Sequence, residues 1–279
     1  KAEDCGKGNT AMNGLKQVEG NSAEGPVRID VVILSFAKNA ELRAMTDTCL
    51  DTLLASESSK DVIFDVIVVE SNHQSPEYTQ AGVRTLYLPP PFNYHQYMNE
   101  GIKRTTGPFV AICNNDLYFH PGWASELLQA FSADTQLISA SPACSLHHPK
   151  NGFAVNSGVY PGYGVLKEIS GWCLVFRRSM LETTGLLDER FYFWYADDDY
   201  ARTLEKHGLK HALVTSSVVD HLDSKTLKTH SSVKQILMTK RAKYDFEEKW
   251  SSKSRYYFFR KKLKLYLKLP FYYLGIKKL

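Results

Sequence analysis

The sequence predicts an α/β protein in which helices flank a mostly parallel sheet. Two short, continuous apolar runs at 29–36 and 62–69 have the composition of strands that are buried on both faces. Between them, residues 40–55 place apolar side chains at helical spacing. A strand, a helix and a second strand in this order form a right-handed crossover between parallel strands, so the two strand ends should lie side by side.

The same alternation continues along the chain. Residues 92–103 have the pattern of a loop that enters a helix, and Gly107-Pro108 ends that helix. The stretch 145–168 is rich in Gly, Pro, Tyr, Asn and His without a period, which predicts a long functional loop. Further strands are expected at 85–88, 109–113, 137–141, 169–176 and 212–219, and further helices at 123–132, 179–184 and 200–207.

Composition divides the chain into three parts: a polar, loosely ordered lead-in at 1–26, the α/β domain at 27–250, and a basic aromatic segment at 251–279. With 43% hydrophobic and 23% charged residues, the chain has the composition of an ordinary globular protein. The net charge of +4 is too small to indicate nucleic acid as a partner. Five widely spaced cysteines without a C-x-x-C pair predict reduced thiols and a cytoplasmic location.

Polar residues gather where predicted strands end or helices begin. The apolar run at 109–113 stops at Asn114, Asn115 and Asp116. Because ligands of open α/β sheets bind outside the carboxyl ends of the strands, this point is a candidate site. An acidic run at 197–199 opens a helix, and His221 follows the last strand. Mg²⁺ and Mn²⁺ prefer carboxylate oxygens, and Mn²⁺ also accepts one imidazole, which makes Asp116 and His221 the candidate metal ligands.

Eight features occur in a fixed order between Ile29 and His221. They are Ser35, Glu70, Asn99-Glu100-Gly101, Asn114-Asn115-Asp116, the strand from Gly171 to Arg178, the turn from Gly185 to Glu189, Asp197 to Asp199, and His221. This order resembles that of the inverting, GT-A-fold glycosyltransferases of the family-2 type. The whole order is specific, whereas each single element is weak.

The resemblance implies a GT-A fold, which is Rossmann-like, and a nucleotide-diphosphate sugar donor of the UDP or dTDP type. Asp116 and His221 would hold Mn²⁺ or Mg²⁺, and Asp197 or Asp198 would be the base that deprotonates the acceptor hydroxyl. We favour Asp197, because the family's base is the first acid of the pair that opens a helix. The donor-side candidates are Ser35, Phe36, Glu70, Asn99, Lys103, Asn114 and Asn115, and the acceptor-side candidates, which could also be core residues, are Trp172 and Trp194.

Each motif also has a structural explanation. Residues 114–116 are turn formers, residues 197–199 can complement a helix dipole, and a single histidine is more often structural than a ligand. Asn114 stands where the family has an acid, which leaves a non-catalytic glycan- or lipid-binding module as one alternative. A sugar-nucleotide nucleotidyltransferase is the other, but its Gly-rich basic phosphate loop is represented after the first strand only by Lys38.

The segment 253–279 interleaves lysines and arginines with aromatic and leucine residues and contains no Asp or Glu. This composition predicts a helix that lies in an anionic membrane interface, whereas the alternative is a basic helix packed on the domain or on a partner. No stretch approaches the ~20 apolar residues of a spanning helix. The sequence therefore predicts a peripheral protein at the cytoplasmic face of a membrane, with a glycan or a lipid-linked saccharide as acceptor.

Overall fold

The computed structural model describes residues 25–222 and 232–273, so nearly all of the predicted lead-in and the last six residues lie outside it. Within the described residues there are nine strands and seven α-helices. The strands are β1 (Val27–Ser35), β2 (Val62–Glu70), β3 (Val83–Tyr87), β4 (Phe109–Cys113), β5 (Leu117–Phe119), β6 (Leu137–Ala143), β7 (Val159–Pro161), β8 (Cys173–Arg177) and β9 (Lys210–His221). The helices are α1 (Ala40–Ala55), α2 (Tyr94–Ile102), α3 (Trp123–Ala133), α4 (Met180–Thr184), α5 (Ala196–His207), α6 (Ser232–Trp250) and α7 (Arg255–Tyr273).

All nine strands join one sheet, in the order β3-β2-β1-β4-β8-β6-β9-β5, with β7 also paired to β9. The first four strands of this order are parallel, and β6 is parallel to β9. Strand β8 lies antiparallel between β4 and β6, and β5 and β7 run antiparallel to β9. The predicted α/β class with a mostly parallel sheet flanked by helices is confirmed.

Two cores lie on opposite faces of the sheet, and β1 contributes to both. Ile29 and Val31 face the core that α1 and α3 cover, while Val32 and Leu34 face the core that α2, α4 and α5 cover. Alternate residues of one strand are thus buried on opposite sides, which explains why the sequence of β1 is apolar throughout. The result is a sheet between two helical layers.

The structure adds three elements that the sequence pattern did not predict, namely β5, β7 and α6. Strand β7 and a short 3₁₀ helix, His148–Asn151, order part of the predicted loop at 145–168. The strand predicted at 169–176 begins only at Cys173, because Ser170 and Cys173 close a turn through their backbones. Segments of three or four residues are too short to display a period, so only pairing with β9 defines β5 and β7.

The four cysteines in the described part of the chain are all free and buried. Cys113 and Cys173 face each other across β4 and β8, with their sulfur atoms 3.7 Å apart. Cys5 lies outside the described residues.

A buried ion pair fastens β1 to the end of β8. The carboxylate of Asp30 is fully buried, and the guanidinium of Arg178 donates to it at 2.6 Å. Arg178 also donates to the carbonyl of Gly107, whose amide bonds the same carboxylate. Since a side chain at Gly107 would collide with Asp30, the glycine permits this close approach.

Replacing Arg178 by leucine should lower the free energy of unfolding by about 3 kcal/mol, because a buried carboxylate loses its main counterion. This value is at the lower end of the losses measured when a buried ion pair is broken, because Arg28 still contacts Asp30 in the variant. Urea unfolding measures it. Arg202→Leu is the control, because its pair with Glu205 is exposed and should contribute no more than about 0.5 kcal/mol. Equal losses in the two variants would contradict this account.

Candidate functional site

Strand pairing brings Asp116 and His221 together. Asp116 directly precedes β5, and β5 pairs with the end of β9 so that Leu117 lies opposite His221. The amide of Leu222 donates to the carbonyl of Asp116 at 2.9 Å, which extends the pairing by one residue. As a result, Nε2 of His221 lies 3.2 Å from Oδ2 of Asp116.

Two atoms of this pair have no hydrogen-bond partner in the described part of the chain. Asp116 Oδ1 and His221 Nε2 are both buried and form no hydrogen bond there, since the 3.2 Å approach of Nε2 to Asp116 Oδ2 does not have hydrogen-bond geometry, although buried polar atoms in proteins are nearly always bonded. A carboxylate oxygen and an imidazole nitrogen are ligands that Mn²⁺ accepts, and two side chains leave most of its positions open to substrate oxygens. These residues therefore fit a divalent cation. They are a pair: among residues 25–222 and 232–273, no three or more His, Cys, Asp or Glu side chains are grouped so that they could hold a metal ion.

Trp172 supports the histidine. Its ring stacks on His221 with an interplanar angle of 4° and 5.1 Å between centroids. The Trp172 carbonyl accepts from the amide of Asn114 at 2.9 Å, so the same residue is tied to the end of β4. The indole is only 7% exposed, and its Nε1 has no partner among the described residues. Trp172 is thus a wall of the site, and its predicted contact with an acceptor sugar stays a prediction.

The carboxylate of Asp197 lies directly against Gly171. A Cβ atom placed on Gly171 would be 2.1 Å from Cγ of Asp197, a distance that no real side chain could adopt. Asp197 is in the first turn of α5, which begins after Tyr195 in a left-handed conformation with φ of 65°. Since Trp172 follows Gly171, one dipeptide contacts both the acidic helix start and His221.

The three consecutive aspartates have different surroundings. Burial, and then the charge of Asp198, raises the pKa of Asp197 from its ordinary value near 3.8 to about 6. Burial also raises the pKa of Asp198. Asp199 instead forms an ion pair with Lys249 at 2.7 Å and accepts from the indole of Trp250 at 2.8 Å, both on α6. Asp197 is therefore the member of the run whose charge is least compensated by a neighbour.

Tyr94, the first residue of α2, relates Asp197 to the metal-ligand pair. Its hydroxyl donates to the carbonyl of Gly171 at 3.3 Å. Its pKa is raised well above the ordinary value, first by burial and next by the charge of Asp197, with a smaller contribution from Asp116. The Gly171 carbonyl that Tyr94 bonds belongs to the residue that Asp197 contacts, and the next residue, Trp172, stacks on His221, so the candidate base and the candidate metal ligand His221 lie around one dipeptide.

The donor-side candidates Ser35, Glu70 and Asn115 belong to one buried polar network. Asn115 donates to the Thr46 hydroxyl at 2.8 Å, and the hydroxyl of Ser35 bonds those of Thr46 and Tyr78 at 3.0 and 2.9 Å. Tyr78 in turn donates to Glu70 at 2.9 Å. The other oxygen of Glu70 accepts the amides of Ala37 and Asn72. The network ties the ends of β1, β2 and β4 together from inside the protein.

The remaining candidates lie in different surroundings. Phe36 is 43% exposed at the end of β1, and Asn114 is partly exposed at the end of β4. Asn99 is buried, where it bonds the backbone of Leu187 through both of its amide atoms and so fixes the turn before α5. Lys103 follows the opposite end of α2 from Tyr94 and pairs with Glu100, so the structure does not bring it to Asp116. Trp194 is partly buried beside Phe193, two residues before α5.

Sequence reasoning missed several residues that shape the site. Tyr94, Thr46 and Tyr78 carry no local motif, and their roles depend on partners distant in the chain. Lys249 and Trp250 bond Asp199 in the first turn of α5, and both belong to α6, a helix that the sequence pattern did not predict. A basic and aromatic pair after an unassigned stretch was the only signal for them.

Comparisons with known proteins identify similar sequences and similar folds. Residues 30–156 match the family model described as glycosyl transferase family 2, a stretch that contains Asp116 and ends before Asp197. An O-antigen biosynthesis protein, RfbC, from Myxococcus xanthus is 24% identical over 63% of this chain. The chain spans only 16% of the length of that relative.

Solved structures share the fold at low sequence identity. A mannosyltransferase from Pyrobaculum calidifontis, solved with GDP-Man and Mn²⁺, has a TM-score of 0.53 at 14% identity, over 88% of this chain and 70% of its own. GalNAc-T7, solved with UDP, GalNAc and Mn²⁺, has a TM-score of 0.54 at 12% identity, over 71% of this chain and 44% of its own. The predicted resemblance is confirmed at the level of these findings: residues 30–156 match glycosyl transferase family 2, and the described residues have a GT-A-like fold.

Proposed function

We propose that this chain is a metal-dependent inverting glycosyltransferase that works at the cytoplasmic face of a membrane. It would move one sugar from a nucleotide-diphosphate donor to a glycan or a lipid-linked saccharide. One observation carries the proposal: the candidate metal-ligand atoms Asp116 Oδ1 and His221 Nε2 have no hydrogen-bond partner among the described residues, and the dipeptide Gly171-Trp172 contacts both His221 and Asp197, a carboxylate whose pKa is raised toward neutrality. The O-antigen relative supports a surface glycan as the product.

The reaction needs a base for the acceptor and a means of stabilising the leaving group. Asp197 takes the proton of the acceptor hydroxyl, and the oxygen attacks the anomeric carbon as the bond from that carbon to the diphosphate oxygen breaks. The bond electrons leave with the diphosphate, and this single in-line displacement inverts the anomeric centre. A divalent cation held by Asp116 and His221 would neutralise the charge that develops on the diphosphate. The Mn²⁺ bound in two structural neighbours supports this assignment.

The surroundings of Asp197 suit a base. With a pKa of about 6, it is mostly deprotonated at neutral pH yet more basic than an exposed carboxylate. Lys249 pairs with Asp199, two positions along α5 from Asp197. The ammonium group of Lys249 therefore does not lower the proton affinity of Asp197 through direct contact.

For the donor, we propose that exposed Phe36 and the end of β4 face the nucleotide. Aromatic rings offer a stacking surface to bases, and Phe36 is 43% exposed at the end of β1. Ser35 and Glu70 would brace this edge through their buried network. A UDP- or dTDP-type donor is our choice, and GDP belongs in every test because one structural neighbour holds GDP-Man.

A donor-hydrolysis assay with Mn²⁺ separates this proposal from a non-catalytic glycan- or lipid-binding module. Release of sugar from one nucleotide sugar supports catalysis. Binding without any release, in the presence or absence of saccharide acceptors, would favour the module.

Nucleotide and metal binding can be tested without turnover by thermal shift. A nucleoside diphosphate at 100 times its Kd stabilises a protein by about 2.7 kcal/mol. We expect one of UDP, dTDP and GDP to raise Tm only when Mn²⁺ is present, since Asp116 and His221 supply two of the metal ligands. Asp116→Asn should abolish the Mn²⁺-dependent part. Asp51→Asn, on the exposed side of α1, is the control and should retain it. A full shift in Asp116→Asn would refute the metal role.

Asp197→Asn should lower the transfer rate at least about 100-fold and stabilise the protein at pH 7. The pKa of Asp197 is higher in the folded than in the unfolded state, so its charge costs stability above pH 6, and this cost vanishes as pH falls toward 4. A shift from 3.8 to about 6 corresponds to about 3 kcal/mol as an upper value. The gain in Tm should be smaller at pH 5 than at pH 7. In the unchanged protein, the transfer rate should fall about tenfold when the pH is lowered from 7 to 5, because most of Asp197 becomes protonated. A destabilised Asn variant at pH 7 would contradict this account.

Gly171→Ala should lower the transfer rate about 100-fold, because the added methyl group would displace the carboxylate of Asp197. Gly25→Ala is the control, since a Cβ there meets nothing within 4 Å. Urea unfolding and the Mn²⁺-nucleotide thermal shift separate displacement of the base from loss of the fold. Wild-type rates in Gly171→Ala would show that the position of Asp197 does not matter.

A further inference from the structure

Helix α7 packs on α6 through one face only. Phe258 and Leu265 on that face are buried. Between them, Lys261 pairs with Glu247 at 3.3 Å, and Lys262 pairs with Asp245 and Glu248. The spacing of three, four and seven residues puts these side chains on a single side of the helix. Two of its lysines are therefore already neutralised by acids of α6.

The opposite face of α7 is apolar and exposed. Tyr256 is 68%, Phe259 59% and Leu267 64% exposed, and Leu263 and Tyr266 are 47% and 41% exposed. Their spacing places them along one side of the helix. A run of large exposed apolar side chains of this kind marks an interaction site. We call these five residues the outer face of α7.

Cations flank the outer face without acidic partners. Arg255, Arg260, Lys264 and Lys268 form no ion pair with any described residue, and α7 itself contains no Asp or Glu. The guanidinium of Arg260 lies over the ring of Tyr256, 5.9 Å from its centroid. Apolar and aromatic side chains with uncompensated positive charge on both sides complement the headgroup region of an anionic bilayer.

We propose that the outer face of α7 docks the protein on an anionic membrane surface, with the helix lying in the interface plane. None of the helices in the described residues is long and apolar enough to cross a membrane. Charge decides between occupants: a second copy of this chain would bring the same unpaired cations against each other, whereas anionic lipid headgroups would neutralise them.

Contacts between helices relate this docking surface to the candidate site. Helix α6 ends in Lys249 and Trp250, which both bond Asp199, and Lys249 also pairs with Asp188 at 2.8 Å. Asp199 lies two residues from Asp197 on α5. The membrane face is thus fixed to the helix that carries the candidate base. If the proposed function holds, this geometry suits an acceptor whose lipid part stays in the bilayer.

Vesicle flotation of the full chain tests the docking. We expect binding about tenfold or more stronger to phosphatidylcholine vesicles that contain phosphatidylserine than to phosphatidylcholine alone, and weaker binding at high salt. A combined outer-face variant should lose at least about tenfold in binding to the anionic vesicles. Its substitutions are Tyr256→Ser, Phe259→Ser, Leu263→Ser and Leu267→Ser.

A matched control carries Ile63→Ser and Val159→Ser, which are exposed apolar residues away from α7, and should bind like the unchanged protein. Equal vesicle binding by the outer-face variant would overturn the proposal, as would no binding by the unchanged protein. A dimer in light scattering that the outer-face variant loses would assign the face to a second copy instead. The Mn²⁺-nucleotide thermal shift, which should persist in all variants, reports the fold and the proposed function separately from membrane binding.

Discussion

The site depends on one close contact, that of the Asp197 carboxylate with the backbone at Gly171. It exists because β8 inserts antiparallel beside β4, which brings the residues before β8 alongside those after β4. Trp172 then stacks on His221 and bonds the amide of Asn114. A side chain at Gly171 would force the acidic helix start away from the sheet edge and separate the candidate base from the candidate metal ligands.

The electrostatic organisation follows from which carboxylates receive counterions. In the run 197–199, only Asp199 is paired, with Lys249 of α6, while burial raises the pKa of Asp197 to about 6. Glu70 is saturated by backbone amides and a phenol, and Asp30 is paired with Arg178. Asp116 Oδ1, by contrast, has no partner among the described residues. Glu70, Asp30 and Asp199 are thus satisfied by other residues of the chain, whereas the proposed base Asp197 and one oxygen of the proposed metal ligand Asp116 are not.

Helices α6 and α7 give these contacts a wider consequence. The acids of α6 neutralise Lys261 and Lys262, so only one side of α7 remains basic and apolar. At the same C-terminal end, α6 also supplies Lys249, which pairs with Asp199 in the first turn of α5. One helix therefore determines both which face of α7 is available and how firmly the acidic helix start is held.

The sequence by itself determined the α/β class, most element bounds, and the positions of Asp116 and Asp197, because buried strands and amphipathic helices carry a local period. It did not determine which of the candidate donor-binding side chains are buried in the protein and which are exposed at the site. The side-chain amide of Asn99 bonds Leu187, the carboxylate of Glu70 accepts from Ala37, and Lys103 lies at the far end of α2. Strands β5 and β7, the unpaired atoms of the metal-ligand pair, and the exposed side of α7 were likewise decided by tertiary structure. Their physical cause is contact between residues far apart in the chain, which no local pattern encodes.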